Sequence, residues 1–373
     1  MTELYVGLMS GTSLDGVDGV LVDLTRGQAN PLTVLGHVHQ EFDAPLAIEL
    51  LALNHSGHDE LHRAALAGNA LARIYADVMA KLLAATGTSP EQVRAVGVHG
   101  QTVRHRPREF DGTGYTLQLG NAALLAELGG VDVVADLRSR DVAAGGHGAP
   151  LVPAFHRAVF GRQGMTVAVL NIGGIGNLTA LHADGTVSGF DCGPGNALLD
   201  HWCKAHTGQA FDKGGAWAAS GTVIDSLLAS MLGEPYFSLP PPKSTGRDLF
   251  HPEWLARHLR QHATALAQDV QATLAELTAT VSANAVRQHA GRSQEVLVCG
   301  GGALNTHLME RLAARLPTMS VLPTDARGLP AMQVEACAFA WLAQAFCREE
   351  CASLEVVTGA SGPRRLGALY PAR

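Results

Sequence analysis

Met9-Ser10-Gly11-Thr12-Ser13-Leu14-Asp15-Gly16-Val17-Asp18 is the stretch on which the reading of this chain turns. Apolar residues run from Leu4 to Met9, turn chemistry fills Ser10 to Gly16, and the apolar pattern resumes from Val17 to Leu24, which predicts a hairpin. Glycine lets main-chain N–H groups approach an anion closely, and the hydroxyls of Thr12 and Ser13 add donors. Gly11, Thr12, Ser13, Leu14, Asp15, Gly16, Val17 and Asp18 are therefore candidate phosphate-binding residues. The carboxylates of Asp15 and Asp18 bracket Gly16, and magnesium is usually held by one or two carboxylates with waters and phosphate oxygens. Asp15 reads equally as a turn-former, and Asp18 as a strand-edge charge.

A second copy of this theme begins at Met165. Val167 to Asn171 is apolar, Asn171-Ile172-Gly173-Gly174-Ile175-Gly176-Asn177 is a glycine turn, and Leu178 to Leu181 and Val187 to Phe190 read as strands. Asn196 is the N-cap candidate of the helix that follows. A third turn, Cys299-Gly300-Gly301-Gly302-Ala303-Leu304-Asn305, follows the strand Val296 to Cys299 and precedes a helix opening near Asn305. One such turn is weak evidence for a ligand. Two at matching places in two repeats, and a third ahead of a helix, predict a nucleotide held between two lobes, with Gly173, Gly174, Asn177, Gly300, Gly301, Gly302 and Asn305 on its phosphates. GxxxxGK[ST], GxGxxG with its distal acid, HExxH and GxSxG are all absent, which argues against P-loop, dinucleotide-binding, zinc-protease and serine-hydrolase readings.

The remaining pattern is α/β. Leu32 to His39 reads as a strand, His62 to Ala85 as a helix, and Val93 to Val98 as a buried strand ending in His99, Gly100, Gln101 and Thr102. His251 to about Val286 predicts one long helix or two, and Pro330 is expected to open a helix reaching Cys347. With 373 residues the chain exceeds what one core supports, so two lobes are expected, with a soft boundary near residue 145. The expected division is 1–145, 146–329, and a tail 330–373 packing back on the first lobe.

A net charge of −7 disfavours a nucleic-acid partner. The cluster Arg104, His105, Arg106, Arg108 is the local exception, and reads as a solvated loop or an anion contact. No apolar run is long enough for a membrane span, no basic leader precedes the first strand, and six cysteines form neither CxxC pairs nor a disulfide framework. A reducing cytoplasm is expected.

Asp191 is the most suggestive acid. It is expected to end the strand Val187 to Phe190, ahead of Cys192-Gly193-Pro194-Gly195-Asn196, where a nearby helix N-terminus would keep it ionised and able to take a proton from water or a hydroxyl. Loop capping is the competing role. Glu335 shares the apolar face of the last helix, where a charge needs a partner such as Arg138 or Arg140, unless it faces a ligand. His147 lies in a linker-like run, and among 17 histidines a single one is more often surface than catalytic.

Taken together, the opening motif, Gly97 to Thr102, Asn171 to Thr179, Gly189 to Asn196, Pro240 to Asp248, Cys299 to Asn305 and Pro330 to Ala340 closely resemble the anhydro-N-acetylmuramic acid kinase family. The resemblance covers nearly the whole chain. It implies an α/β, two-lobed actin-like ATPase fold, a duplicated ribonuclease H-like arrangement with a central nucleotide cleft, using ATP and Mg²⁺. Such an enzyme hydrolyses the 1,6-anhydro ring of 1,6-anhydro-N-acetylmuramic acid and phosphorylates the released 6-hydroxyl, in peptidoglycan recycling. By position, Asp191 would be the catalytic base, and His99, Gln101, Arg140 and Glu335 would hold the sugar. A homodimer is expected only by family analogy. Cys192 stands where threonine is expected, and Lys213-Gly214 where an acidic pair is. The alternatives are an actin-like kinase for an ordinary sugar hydroxyl, and a non-enzymatic ATP-sensing or filament-forming relative.

Overall fold

Leu4–Met9 (β1), Gly16–Asp23 (β2) and Thr33–Glu41 (β3) form an antiparallel meander, and Val93–Val98 (β4) then runs parallel to β1. Gln101–Pro107 (β5) and Gly114–Leu119 (β6) make a separate hairpin. Val133–Ala135 (β7) is parallel to β4. In the computed structural model, which describes residues 2–11, 14–25, 31–241, 243–246 and 249–373, the chain divides into two compact units. One is Met1–Val159 with Gln333–Arg373, and the other is Phe160–Met332.

The second unit repeats the plan. Val167–Ile172 (β8), Ile175–Leu181 (β9) and Val187–Pro194 (β10) form the meander, followed by Glu295–Cys299 (β11) parallel to β8 and Ser320–Pro323 (β12) parallel to β11. The sheet orders are β3-β2-β1-β4-β7, extended by Ala368–Tyr370 (β13), and β10-β9-β8-β11-β12. Each is the ribonuclease H-like arrangement, so the chain is a duplicated, actin-like α/β protein. Central strands are hydrophobic throughout because helices cover their faces; every residue of β8 is buried.

Two glycines set how closely a helix lies on the first sheet. Gly7 and Gly97 are register partners on β1 and β4. A Cβ on Gly7 would overlap the Ala336 carbonyl oxygen, and one on Gly97 the Phe339 carbonyl oxygen. The helix Val334–Cys347 thus rests on bare backbone, which fixes its first turn, where Glu335 sits. In the second unit, Glu276 is buried on the helix Ala267–His289 and pairs with Arg311 and Arg315 of the helix Thr306–Arg315.

Several elements depart from the sequence reading. The helix expected from Pro330 starts at Val334, because Ala331 N donates to Asp325 Oδ2 at 3.1 Å and Ala331 O accepts from Gly300 N at 3.0 Å. The Gly300 bond takes the Ala331 carbonyl that, in a helix opening at Pro330, would accept from Glu335 N. The stretch from His251 to about Val286, open between one helix and two, holds two, Pro252–Leu259 and Ala267–His289. Of the basic cluster, Arg104, His105 and Arg106 lie on β5 and Arg108 just beyond it: Arg104 bonds Glu60 at 3.1 Å and the carbonyls of Leu53 and Asn54, and the exposed Arg108 donates to Gly145 O and Gly359 O. His147 is not in a loose linker, since its N–H donates to Thr358 O at 2.8 Å and Ser361 N donates to Ala144 O at 2.8 Å.

Candidate active site

Asp191 lies within β10 rather than at its end. The strand runs on to Pro194, with an irregularity between Asp191 and Gly193 where it pairs with β9. Asn171, Asn177 and Asp191 are register partners on β8, β9 and β10, which places three polar side chains in a row across one sheet face. The Asp191 carboxylate accepts Thr245 N–H at Oδ2 (3.0 Å), its N–H donates to Lys243 O (3.3 Å), and its carbonyl accepts Tyr236 Oη–H (2.7 Å). Burial raises its pKa to about 6, opposed in part by the Thr245 amide. The sequence reading had a nearby helix N-terminus keeping this group ionised. Desolvation outweighs that effect, and the result is a stronger base than a surface aspartate.

The second glycine turn packs directly beneath this strand. Gly195 N and Ala197 N donate to Gly174 O (3.0 and 3.1 Å), and Asn196 N donates to Gly173 O (2.8 Å). Asn196 is the N-cap residue of the helix Ala197–Thr207, but its side chain does not cap; Nδ2 donates to Ile172 O at 3.1 Å and ties the turn to the helix start. At the third turn Gly300 has φ +76, and a Cβ there would overlap the Asn171 side-chain oxygen. Asn305 accepts Leu308 N–H at 3.0 Å and caps the next helix. Turns 171–177 and 299–305 therefore meet, bringing Gly173, Gly174, Asn177, Gly300, Gly301, Gly302 and Asn305 to the C-terminal ends of β8 and β11. Gly173 and Gly174 differ from Gly300. Their backbone is ordinary, and an added Cβ would find protein atoms no nearer than 3.8 and 3.7 Å. Nothing in the fold demands glycine there, so Gly174→Ala is expected to leave the melting temperature unchanged, which a thermal unfolding curve reads directly.

The first unit supplies a different set. Thr12 and Ser13 lie outside the described residues. Gly11 O accepts Gln101 Nε2–H at 3.0 Å, and the Ser10 hydroxyl contacts Tyr75 Oη at 2.7 Å and donates to Gly100 O at 3.2 Å. Leu14 takes φ +59, Gly16 and Val17 enter β2, and Asp15 is exposed. Asp18 Oδ1 contacts His37 Nε2 (2.9 Å) and His39 Nδ1 (3.1 Å) on β3. The histidines, absent from the sequence argument, follow from alternation on β3, since His39 is the register partner of Asp18.

His99 is a structural link. Its Nδ1–H donates to Ser10 O at 3.2 Å, and Nε2 accepts from Arg138 Nη2 at 2.9 Å. Burial first, and the Arg138 charge second, push its pKa down to about 3, so it stays neutral. Burial also lowers Arg138, to about 10, against the opposing charges of Glu335 and Asp141. Of the two arginines weighed as partners of Glu335, it is thus Arg138 that feels its charge, while Arg140 is exposed in the short helix Ser139–Ala143. His99 also lines a cavity of about 280 Å³ within this unit, together with Tyr75, Gln118, Asn121, Asp136 and Ser139. Asp136 holds a left-handed φ of +53 there. Gln101, Arg140 and Glu335 are not among the residues that line it.

A family model described as anhydro-N-acetylmuramic acid kinase matches residues 3–372. The chain belongs to the anhydro-N-acetylmuramic acid kinase family. Anhydro-N-acetylmuramic acid kinase of Variovorax paradoxus (strain S110) is 60% identical over 375 residues, spanning 99% of both chains. The kinase of the same name from Albidiferax ferrireducens is 57% identical over 392 residues, spanning 100% of both. Among solved structures, the activator of the 2-hydroxyisocaproyl-CoA dehydratase from Clostridium difficile with bound ADPNP aligns with 94% of this chain and 96% of its own, at 14% identity and a TM-score of 0.47. Tyr236, Lys243 and Thr245, which bond Asp191, carried no role in the sequence reading, although Pro240 to Asp248 was among the stretches that carried the resemblance. Among the described residues, no helix is long and apolar enough to cross a membrane.

Proposed function

We infer that this chain is an ATP-dependent kinase that hydrolyses the 1,6-anhydro bond of 1,6-anhydro-N-acetylmuramic acid and phosphorylates the freed 6-oxygen, giving N-acetylmuramic acid 6-phosphate and ADP in cell-wall recycling. The observation that carries this reading is Asp191, a half-buried carboxylate with a raised pKa, beside two glycine turns, in a chain of this family. Breaking a glycosidic bond with water needs a base on the water and an acceptor for the departing oxygen. Asp191 takes one proton of the water as its oxygen bonds to the anomeric carbon. The C1–O6 bond breaks on the opposite side. ATP, when bound, supplies the γ-phosphoryl group that captures O6, so no separate protein acid is required.

The fit to magnesium is a matter of donor chemistry. Among the described residues no cluster of three or more histidine, cysteine or acidic groups is placed to cage a metal. An ion bound chiefly by phosphate oxygens needs no cage, and Asp15, with the second oxygen of Asp18, would hold it. Gly11 to Asp18 and the glycines of the second unit would bind the phosphates. The cavity beside His99 would receive part of the sugar, with Arg140 and Glu335 as further contacts and Gln101 holding the backbone of the first turn. The reaction is one of soluble cytoplasmic metabolism in this reading, and a homodimer is compatible with it.

Activity requires ionised Asp191. Because burial lifts its pKa from 3.8 to about 6, kcat/KM is expected to fall tenfold per pH unit below about 6, rather than below 4. A profile flat down to pH 4.5 would remove Asp191 from the role of base. The reading as a whole is tested by ADP release across a panel of anhydro and ordinary amino sugars, with the phosphorylated position assigned by NMR. Turnover of glucose or free N-acetylmuramic acid without turnover of the anhydro sugar would replace it with an ordinary sugar kinase.

A further inference from the structure

The backbone from Lys243 to Gly246 reaches Asp191 from 54 positions later in the chain. Its attachment is well determined. Lys243 Nζ donates to Tyr236 O (3.1 Å) and Phe237 O (3.3 Å) and lies 4.7 Å from the Tyr236 ring centre, while the Tyr236 hydroxyl donates to Asp191 O. The Thr245 N–H then fixes Oδ2 of the carboxylate, leaving Oδ1 with no protein hydrogen bond of its own among those the site shows. Within this clamp one group has no task. The Thr245 hydroxyl oxygen is buried and has no hydrogen-bond partner among the described residues. A buried hydroxyl left in this way costs stability unless something outside the chain satisfies it.

Both groups come from residues already joined by the Thr245 N–H to Asp191 bond, so the hydroxyl lies within one residue's reach of the carboxylate. We propose that the Thr245 hydroxyl is a second contact for the water that Asp191 deprotonates, making Thr245 a catalytic residue. One O–H of the water points to the carboxylate, the other to Thr245 Oγ1, and the lone pair is thereby aimed at the anomeric carbon. The proton goes to Asp191, and Thr245 gains and loses none. The inference rests on Asp191 being the base, and it adds an orienting partner that neither the family name nor the motif assigns. Holding a nucleophile by two groups rather than one is a positioning effect, and misplacement of this kind lowers turnover rather than binding.

The test is steady-state kinetics on Thr245→Val and Thr245→Ser, with wild type and Asp191→Asn in the same series. Thr245→Val keeps the shape and the N–H to Asp191, and is expected to lower kcat roughly 100-fold. KM for ATP and for the anhydro sugar should stay within about twofold, and the acid limb should remain in place because the amide contact survives. Thr245→Ser restores the hydroxyl and should return kcat to within about threefold of wild type. A Thr245→Val enzyme with wild-type kcat overturns the proposal. So does one with unchanged kcat and a raised sugar KM, which would make the hydroxyl a sugar contact. Should Thr245→Val not fold, as judged by its melting curve, Thr245→Ala provides the same reading. Failure of wild type on the anhydro sugar would sink the functional reading itself, and a silent Asp191→Asn the base assignment; both are distinct from failure of Thr245→Val alone.

Discussion

Asp191→Asn is expected to lower kcat by about 1,000-fold while leaving ATP affinity within about twofold. Asparagine preserves the shape and can still accept the Thr245 N–H, but it cannot take a proton from water. The same substitution should raise the melting temperature at neutral pH. The folded-state pKa, about 6, lies above the ordinary 3.8 because burial penalises the charge. The folded protein therefore binds the proton more tightly than the unfolded chain, and stability declines as pH rises from about 4 to about 6. Above that window the ionised group is a standing cost of folding, and a neutral amide removes it. Loss of turnover with a gain in stability separates a catalytic group from a structural one. Loss of both would return Asp191 to the role of a loop-capping aspartate.

Gly7→Ala carries the largest expected effect on stability. The new methyl would meet the Ala336 carbonyl oxygen, a backbone atom within the helix Val334–Cys347 that cannot swing aside as a side chain would. Overpacking of this kind costs about 3 kcal/mol, which for a unit of this size is a fall in melting temperature of roughly 6–12 °C. Gly97→Ala on the neighbouring strand meets the Phe339 carbonyl and should behave alike. Displacing the first turn of the helix also moves Glu335 away from Arg138, whose charges interact. Any Gly7→Ala enzyme that still folds should accordingly show a raised KM for the sugar with a near-normal KM for ATP. Gly174→Ala, where a methyl has room, is the contrasting case.

The elements that sequence made legible are those governed by local pattern. The hydrophobic runs of β1, β4, β8 and β11, and the turn glycines after β1, β8 and β11, declare themselves because strand burial and tight turns leave few residue choices. Asn196 was visible as the residue ahead of a helix, and it is one, but the use of its side chain on Ile172 O depends on a turn 24 positions away. The start of the helix at Val334 escaped for a similar reason: Gly300 and Asp325 claim the backbone of Ala331, and no local pattern records that. Asp191 was legible as an acid beside a glycine run. Its raised pKa was not, since burial of the carboxylate depends on how the folded chain closes around β10, which includes a segment 54 positions away. The pairing of Asp18 with His37 and His39 needed only the strand register, which the alternation on β3 contains but does not reveal alone.

The claim at the centre is that water, activated by Asp191, attacks the anomeric carbon while O6 leaves to phosphorus. A short turnover in ¹⁸O-enriched water, quenched before the anomeric hydroxyl can exchange and analysed by mass spectrometry with fragmentation, tests it most directly. One heavy oxygen should appear on C1 of the sugar phosphate and none in the phosphoryl group. Heavy oxygen on C6, in the ester bridge to phosphorus, with C1 unlabelled, would show that water attacks C6 while the bridging oxygen stays on C1, and would contradict the account.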